Sequence, residues 1–158
     1  MEINKPIKSA NDLMFLFQEL ATRKTEYKYV VGLKDNEVLY IKDYTLKSNR
    51  CSVESDYSKI FKDAFLSGAE ELMFVHNHPD CYAIRPSEQD IKIHFDLRKV
   101  FRYTGLHLYD DAIVGKRGYF LMSDYYTFLY DMTYDRKPHK IFNAIANEIN
   151  DKGGLHDW

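Results

Sequence analysis

The chain has 158 residues, 45% of them hydrophobic and 29% charged, which fits one globular domain, and its formal net charge of −2 argues against broad electrostatic binding to nucleic acid. The two cysteines, Cys51 and Cys81, are too few for a disulfide framework or a Cys-rich structural zinc site. Since no apolar run approaches the roughly 20 residues that span a bilayer and no signal-peptide pattern is present, we expect a cytoplasmic protein without membrane contact.

The N-terminal half predicts a helix, a β-hairpin and a second helix. Hydrophobic residues recur at helical spacing up to Leu20, which is typical of an amphipathic helix packed on a sheet. Segments 27–33 and 38–41 are rich in β-forming residues and flank a turn, so they predict a hairpin. Hydrophobic positions within 60–65 mark the second helix, and Gly68 is placed to end it.

The middle of the chain predicts a buried strand followed by a third helix. The continuous apolar run 72–75 is typical of a central strand, and Pro79 should end its ladder because proline has no N–H. Ser87 opens the third helix, and a closing hairpin follows over 112–122. The order of elements predicts an α/β (α+β) fold, a mixed central β-sheet flanked by helices. The third helix is expected to direct four hydrophobic residues inward: Ile91, Phe95, Leu97 and Val100.

Three residues around the end of the predicted central strand have the pattern of a catalytic zinc site. His76 and His78 share one face of the strand, with Cα atoms about 6.5 Å apart. Asp90 falls in the first turn of the third helix, where the helix dipole favours an ionised carboxylate. Two imidazoles and one carboxylate leave a fourth position for water, unlike a closed structural site. We therefore predict one zinc ion per chain, bound by His76, His78 and Asp90.

The residues around these ligands resemble a known family. The stretches His76-Asn77-His78-Pro79 and Ser87-Glu88-Gln89-Asp90 are similar to the H-x-H and S-x-x-D signature of JAB/MPN (JAMM) metalloproteases, and the H-N-H-P form resembles the RadC-like branch. The resemblance continues in Phe61-Lys62-Asp63-Ala64 and in the segments 105–115 and 118–120. It implies a cytidine-deaminase-like JAB/MPN architecture.

The extent of the resemblance predicts how the chain is organised. It runs from about Ser9 to Met122, so residues 1–123 are expected to form the JAB/MPN RadC-like domain. Residues 124–158 have no counterpart in that pattern. We expect them to form an aromatic and helical C-terminal extension that packs on the same domain.

The activity implied by the resemblance is zinc-dependent hydrolysis of a peptide or isopeptide bond, with Ser87 donating a hydrogen bond to the oxyanion. The family uses an upstream Glu as general base. Alignment backward from the histidines favours Asp43, with Glu37 as the other candidate. Six residues of strand span about 20 Å, so these two carboxylates cannot serve one water. Asp43 would be one methylene shorter than the family's Glu, and Asp111 stands where RadC-like proteins often have His.

Several of these residues also have simpler interpretations. Ser87 is an expected helix N-cap with Asp90 as its capping-box partner, and this role is compatible with metal binding. His94, one turn after Asp90, could replace a ligand but is more simply a helix-surface residue. His107 is interpreted as structural. Cys81, in the loop beside the histidines, is interpreted as a bystander thiol and not as a redox sensor.

Two other functions stay open: a non-catalytic JAB-fold binding scaffold, and the DNA-repair association that RadC-like proteins carry by name. Lys92, Lys99 and Arg102 can share a helix face, but a charged helical face is usually just solvated. A zinc nucleobase deaminase fits the sequence poorly because its H-x-E and P-C-x-x-C elements are absent. The expected partner is a peptide or protein substrate.

Overall fold

The computed structural model describes residues 6–79, 84–125, 147 and 156–158, in which a central β-sheet is covered by helices on both faces. In chain order the elements are α1 (Asn11–Met14), which continues as a 3₁₀ helix (Phe15–Thr22), β1 (Lys28–Lys34), β2 (Glu37–Asp43), β3 (Thr45–Ser48), β4 (Val53–Ser55), α2 (Tyr57–Ser67), β5 (Glu71–Asn77), α3 (Glu88–Thr104), β6 (His107–Val114), β7 (Gly118–Leu121), a second 3₁₀ helix (Met122–Tyr125) and β8 (His156–Asp157).

The sheet is mixed, and its strand order is β2-β1-β5-β6-β7-β8. β1 is antiparallel to both β2 and β5, whereas β5 and β6 are parallel and are connected by α3. The predicted α/β (α+β) class, a mixed sheet flanked by helices, is therefore confirmed. Because α3 follows β5 directly in the chain, its N-terminus lies near the carboxyl end of that strand. β3 and β4 form a separate two-stranded ribbon, and the sequence pattern did not predict this pairing.

The N-terminal helical segment covers one face of the sheet. Its hydrophobic positions are buried, as their helical spacing predicted, and they contact side chains of β1, β5 and β6. Burial of such side chains is the main stabilising term of a domain of this size. The buried residues on this face include Leu13, Met14, Phe17, Leu20, Val31, Met73, Val75, Ala112 and Val114.

α2 and α3 cover the other face. Ile60 of α2 and Phe101 of α3 pack with Phe74 of β5 in one buried cluster. Local signals set the ends of α2: the carboxylate of Asp56 accepts a hydrogen bond from the Lys59 N–H at 3.1 Å, and Gly68 ends the helix with φ 75°. The predicted helix and its glycine stop are confirmed.

The buried side of α3 differs most from the prediction at two positions, and Phe95, which was also expected to point inward, is half-buried. His94, interpreted from the sequence as a helix-surface residue, is 0% exposed, and Val100, expected to point inward, is 43% exposed. The buried positions, Ile91, His94, Leu97 and Phe101, recur every three or four residues. Each residue turns about 100° around the helix axis, so Val100 is rotated away from the buried stripe that Leu97 and Phe101 define.

The predicted C-terminal extension, 124–158, lies mostly outside the described residues. Its last three residues, 156–158, lie against the edge of the sheet, where His156 pairs with Tyr119 of β7. The indole N–H of Trp158 donates to the Gly115 carbonyl at 3.2 Å. Within the described ranges, no helix is long and apolar enough to span a membrane.

Candidate metal centre

Three side chains converge at the carboxyl end of β5. His76 Nε2 lies 3.2 Å from Asp90 Oδ1, and His78 Nε2 lies 3.2 Å from Asp90 Oδ2. The two Nε2 atoms are also 3.2 Å apart. A tetrahedral ion with bonds of about 2.0–2.1 Å needs ligand atoms about 3.3 Å apart, so this spacing fits one small cation. Residues His76, His78 and Asp90 form a cluster that could hold a metal ion, and the structure brings together the three ligands predicted from the sequence.

Local hydrogen bonds position each of the three ligands. His76 is part of β5, and the backbone N–H of His78 donates to the Val114 carbonyl at 2.9 Å just beyond the strand. Asp90 is held by the capping box of α3: its Oδ2 accepts from the Ser87 N–H at 2.7 Å and from the Ser87 hydroxyl at 2.6 Å. The predicted capping box is confirmed, and the cap also fixes the carboxylate toward the histidines.

The electrostatics of the cluster favour an ionised carboxylate. Burial alone would raise the pKa of Asp90, but His76 and His78 hold it well below its usual range. Burial alone would lower the pKa of His76, but the charge and hydrogen bond of Asp90 raise it. The carboxylate and the imidazoles therefore form a mutually stabilised acid–base group in which a metal ion would take the place of the shared protons.

Glu26 is the functional candidate that the sequence reasoning missed. It precedes β1, is 7% exposed, and lines the same cleft as His76, His78 and Asp90. Burial raises the pKa of its carboxyl group, the two histidines lower it, and Asp90 raises it, with a net rise. A buried carboxylate with a raised pKa beside a candidate metal site is typical of a general base. Glu26 has the strand parity of Lys28, which pairs with His76, and only the structure reveals that pairing.

The side chain of Asn77, between the two histidines, holds the segment that carries Glu26. Its Oδ1 accepts from the Tyr27 N–H at 2.7 Å, and its Nδ2 donates to the Thr25 carbonyl at 3.0 Å. The Glu26 N–H donates to the Asn49 carbonyl at 2.8 Å. Glu26 is thus fixed on both sides by residues far away in the sequence.

Neither general base predicted from the sequence is brought to the cluster. Asp43 pairs with Tyr29, so its side chain points to the sheet face covered by the N-terminal helix, whereas His76 points to the other face. Its Oδ1 accepts instead from the Thr45 N–H at 2.8 Å. Glu37 pairs with Lys34 at the far end of β1, away from the Lys28–His76 pair.

A cleft of about 460 Å³ opens in front of the cluster, and Lys28 is one of its lining residues. Lys28 is 6% exposed, and its Nζ donates to the Tyr57 hydroxyl at 3.3 Å. Burial alone would lower the pKa of Lys28, but Tyr57, Asp111 and Asp90 raise it above its ordinary value. The side chain is therefore an ammonium ion at neutral pH.

The remaining histidines have different positions. His94 Nδ1 lies 3.5 Å from Asp111 Oδ2, and the two residues are 0% and 4% exposed, so a buried acid of β6 faces a buried histidine of α3. His107 is exposed at the opposite end of β6. Cys81 lies outside the described residues, and Cys51 lines the cleft.

Comparison with known proteins agrees with this arrangement. Residues 7–126 match the family model described as "RadC-like JAB domain". A UPF0758 protein of Clostridium botulinum (strain Loch Maree / Type A3) is 28% identical over 127 residues, which cover 78% of this chain and 52% of that protein. A UPF0758 protein of Clostridium acetobutylicum is 28% identical over 73% of this chain and 48% of its own length. The chain thus spans about half the length of these curated relatives.

Proposed function

The chain belongs to the RadC-like JAB domain family, and from that premise we propose that it is a metal-dependent hydrolase that cleaves a peptide or isopeptide bond with one zinc ion per chain. The observation that carries the proposal is the cluster of His76, His78 and Asp90, whose ligand atoms face one another at 3.2 Å beside the buried carboxylate of Glu26. A structural metal site would not require an unliganded acid in the same cleft.

Zinc is proposed because the ligand set is two imidazoles and one carboxylate, which leaves a fourth position open. A bound zinc ion lowers the pKa of water toward ~7 and polarises a carbonyl group. The residues that would hold it are fixed before binding, by the sheet ladder for His76 and by the α3 cap for Asp90.

Glu26 replaces Asp43 as the proposed general base. Its carboxylate accepts a proton from the attacking water and later delivers it to the leaving amine. The raised pKa of Glu26 suits both steps, because a stronger base accepts the first proton more readily and can still release it. The hydrogen bonds between the Asn77 side chain and the backbone of Thr25 and Tyr27 hold the Glu26 carboxylate in the cleft.

Ser87 is proposed to donate its hydroxyl hydrogen to the oxygen that becomes negative when the amide is attacked. It lines the cleft, and its hydroxyl is already oriented by Asp90 at 2.6 Å. Asp90 Oδ2 keeps the hydrogen bond from the Ser87 N–H when the hydroxyl turns to the substrate. A comparable oxyanion donor contributes about 2.7–4 kcal/mol to catalysis.

The proposed substrate is a peptide or protein. The net charge of −2 gives no support for broad electrostatic binding of nucleic acid. A non-catalytic scaffold is the alternative that the experiment below distinguishes.

The first experiment measures zinc in the purified full chain by elemental analysis, for the wild type, His78→Ala and Asp90→Ala. His107→Ala is the matched control, since this histidine is exposed at the other end of β6. We expect about one zinc per chain in the wild type and the control, and loss of zinc in both cluster variants. A wild type that binds no zinc after reconstitution contradicts the proposal.

The second experiment screens peptide and isopeptide substrates with the zinc-loaded wild type and with Glu26→Gln. We expect turnover by the wild type and zinc binding without turnover by the variant. Zinc binding without any turnover across the screen identifies the scaffold alternative instead.

A further inference from the structure

Lys28 is a buried cation in the candidate metal cleft to which the hydrolase chemistry assigns no role. It is 6% exposed, lines the cleft, and pairs with the ligand His76 across the β1–β5 ladder. Paired residues of neighbouring antiparallel strands have Cβ atoms about 4.5–5.5 Å apart and point to the same face. The Lys28 side chain therefore starts beside a candidate metal ligand and lines the cleft.

Among the described residues, the Lys28 ammonium has fewer hydrogen-bond acceptors than it has N–H donors. An ammonium group has three N–H donors, and in the part of the chain that the structure describes its hydrogen-bond partner is the Tyr57 hydroxyl at 3.3 Å. The Tyr57 ring also lies 5.8 Å from the ammonium nitrogen. Asp111 and Asp90 act on Lys28 through space, but neither forms an ion pair with it. Unsatisfied buried donors of a charged group are costly unless a ligand completes them.

The ligand that best satisfies the Lys28 ammonium is an anion with two oxygen acceptors. A carboxylate can accept both remaining N–H groups and neutralise the charge, which a neutral amide cannot do. Arg50 lines the same cleft and adds a second positive charge. The acids of the lining are Glu26, Glu54 and Asp90, and Asp90 faces the two histidines.

We propose that the ammonium of the cleft-lining Lys28, hydrogen-bonded to Tyr57, binds a carboxylate of the substrate, so that the enzyme acts on an amide bond close to a free carboxylate, as at the C-terminal end of a peptide. This inference rests on the proposed hydrolase function, because it names the substrate class of the same site.

The test measures binding of two small probes to the zinc-loaded full chain by NMR titration. N-acetylglycinate carries the carboxylate, and N-acetylglycinamide is its neutral counterpart. The variants are Lys28→Met, Lys28→Arg and the control Lys92→Met, which changes an exposed lysine on α3. We expect the wild type and the control to bind the carboxylate at least about tenfold more tightly than the amide, which is the effect of one charge-assisted hydrogen bond. Lys28→Met should lose this preference, and Lys28→Arg should recover part of it.

The same titration on zinc-free protein separates Lys28 from the metal as the anchor. We expect the preference for the carboxylate to persist without zinc. The proposal is overturned if the preference for the carboxylate is lost when zinc is removed but retained in zinc-loaded Lys28→Met. That result shows that the metal binds the carboxylate. A wild type that does not distinguish the two probes overturns it as well, whether or not the Lys28 variants fold. Because metal content is measured separately, absence of zinc would refute the hydrolase function, while the zinc-free titration still decides the role of Lys28.

Discussion

The two faces of the central sheet are both buried, yet they differ in what they bury. The face under the N-terminal helix is mostly apolar, and Asp110 is an acid buried on it. The face under α2 and α3 changes character along one strand: on β5, Leu72 and Phe74 belong to the apolar cluster, and His76 is a candidate metal ligand. The same strand, β5, therefore packs in the core through its middle residues and positions a candidate metal ligand at its carboxyl end.

The largest effect is expected on kcat, and it tests which face of the sheet carries the proposed general base. Glu26→Gln removes the carboxylate from the cleft face and should lower kcat by about 10²–10⁴-fold with zinc content unchanged, because general-base catalysis contributes on that order. Asp43→Asn and Glu37→Gln are matched controls, since those side chains lie on the other face and at the far end of β1. A large loss of kcat in Asp43→Asn with Glu26→Gln active would show that the assignment is wrong.

A core substitution on the apolar face should affect stability and leave the metal site intact. Leu13 is 0% exposed under the sheet, and Leu13→Ala should lower the free energy of unfolding by about 2–5 kcal/mol through lost burial and a cavity. Urea unfolding gives the free energy, and elemental analysis gives the zinc content of the folded variant. Loss of zinc at an unchanged free energy of unfolding would contradict the separation of the two faces.

The buried acid of the apolar face should make stability depend on pH. Burial, with a contribution from Asp111, raises the pKa of Asp110 from 3.8 to about 6 against the hydrogen bonds from Ser123 and the Asp111 N–H. Since the folded state binds this proton more tightly than the unfolded state, the contribution of Asp110 to stability falls as pH rises from about 4 to 6. A shift of this size corresponds to about 3 kcal/mol.

Asp110→Asn removes that charge and keeps an oxygen acceptor for the N–H groups of Asp111 and Ser123. We expect a higher free energy of unfolding above pH 6 and a flatter profile between pH 4 and 6, measured by urea unfolding across that range. Asp96→Asn, an exposed acid on α3, is the control. An unchanged slope in Asp110→Asn would exclude Asp110 as its source.

The smallest effect is expected on stability when either of two helix caps is removed, and zinc binding should distinguish the two caps. Asp56 caps α2 and Ser87 caps α3, and Asp56→Ala or Ser87→Ala should each cost about 1 kcal/mol of stability. Because Ser87 also holds Asp90, only Ser87→Ala should weaken zinc binding, as measured by competition with a chelator. Equal zinc affinity in both variants would mean that the cap does not position the ligand.

The cluster that could hold a metal ion was predicted from the sequence because its signals are local. His76 and His78 follow a continuous apolar strand, and Asp90 sits three residues after its N-cap Ser87, so strand parity and capping chemistry decide their directions. The end of α2 could be predicted for the same reason. Gly68 ends the helix because it adopts a left-handed backbone conformation, with φ 75°, that glycine allows. Interactions between residues close in the chain need no knowledge of the rest of the fold.

The positions of the buried acid Glu26, the buried Lys28 and the buried His94 were decided by the tertiary structure. Glu26 reaches the cleft because Lys28 pairs with His76 and because the side chain of Asn77 holds the backbone 50 residues earlier in the chain. His94 is polar, so its pattern suggested a surface position, but packing of α3 on the sheet buries it against Asp111. The strand register that sets these neighbours depends on contacts across the whole sheet, and residue spacing within one segment carries no record of them.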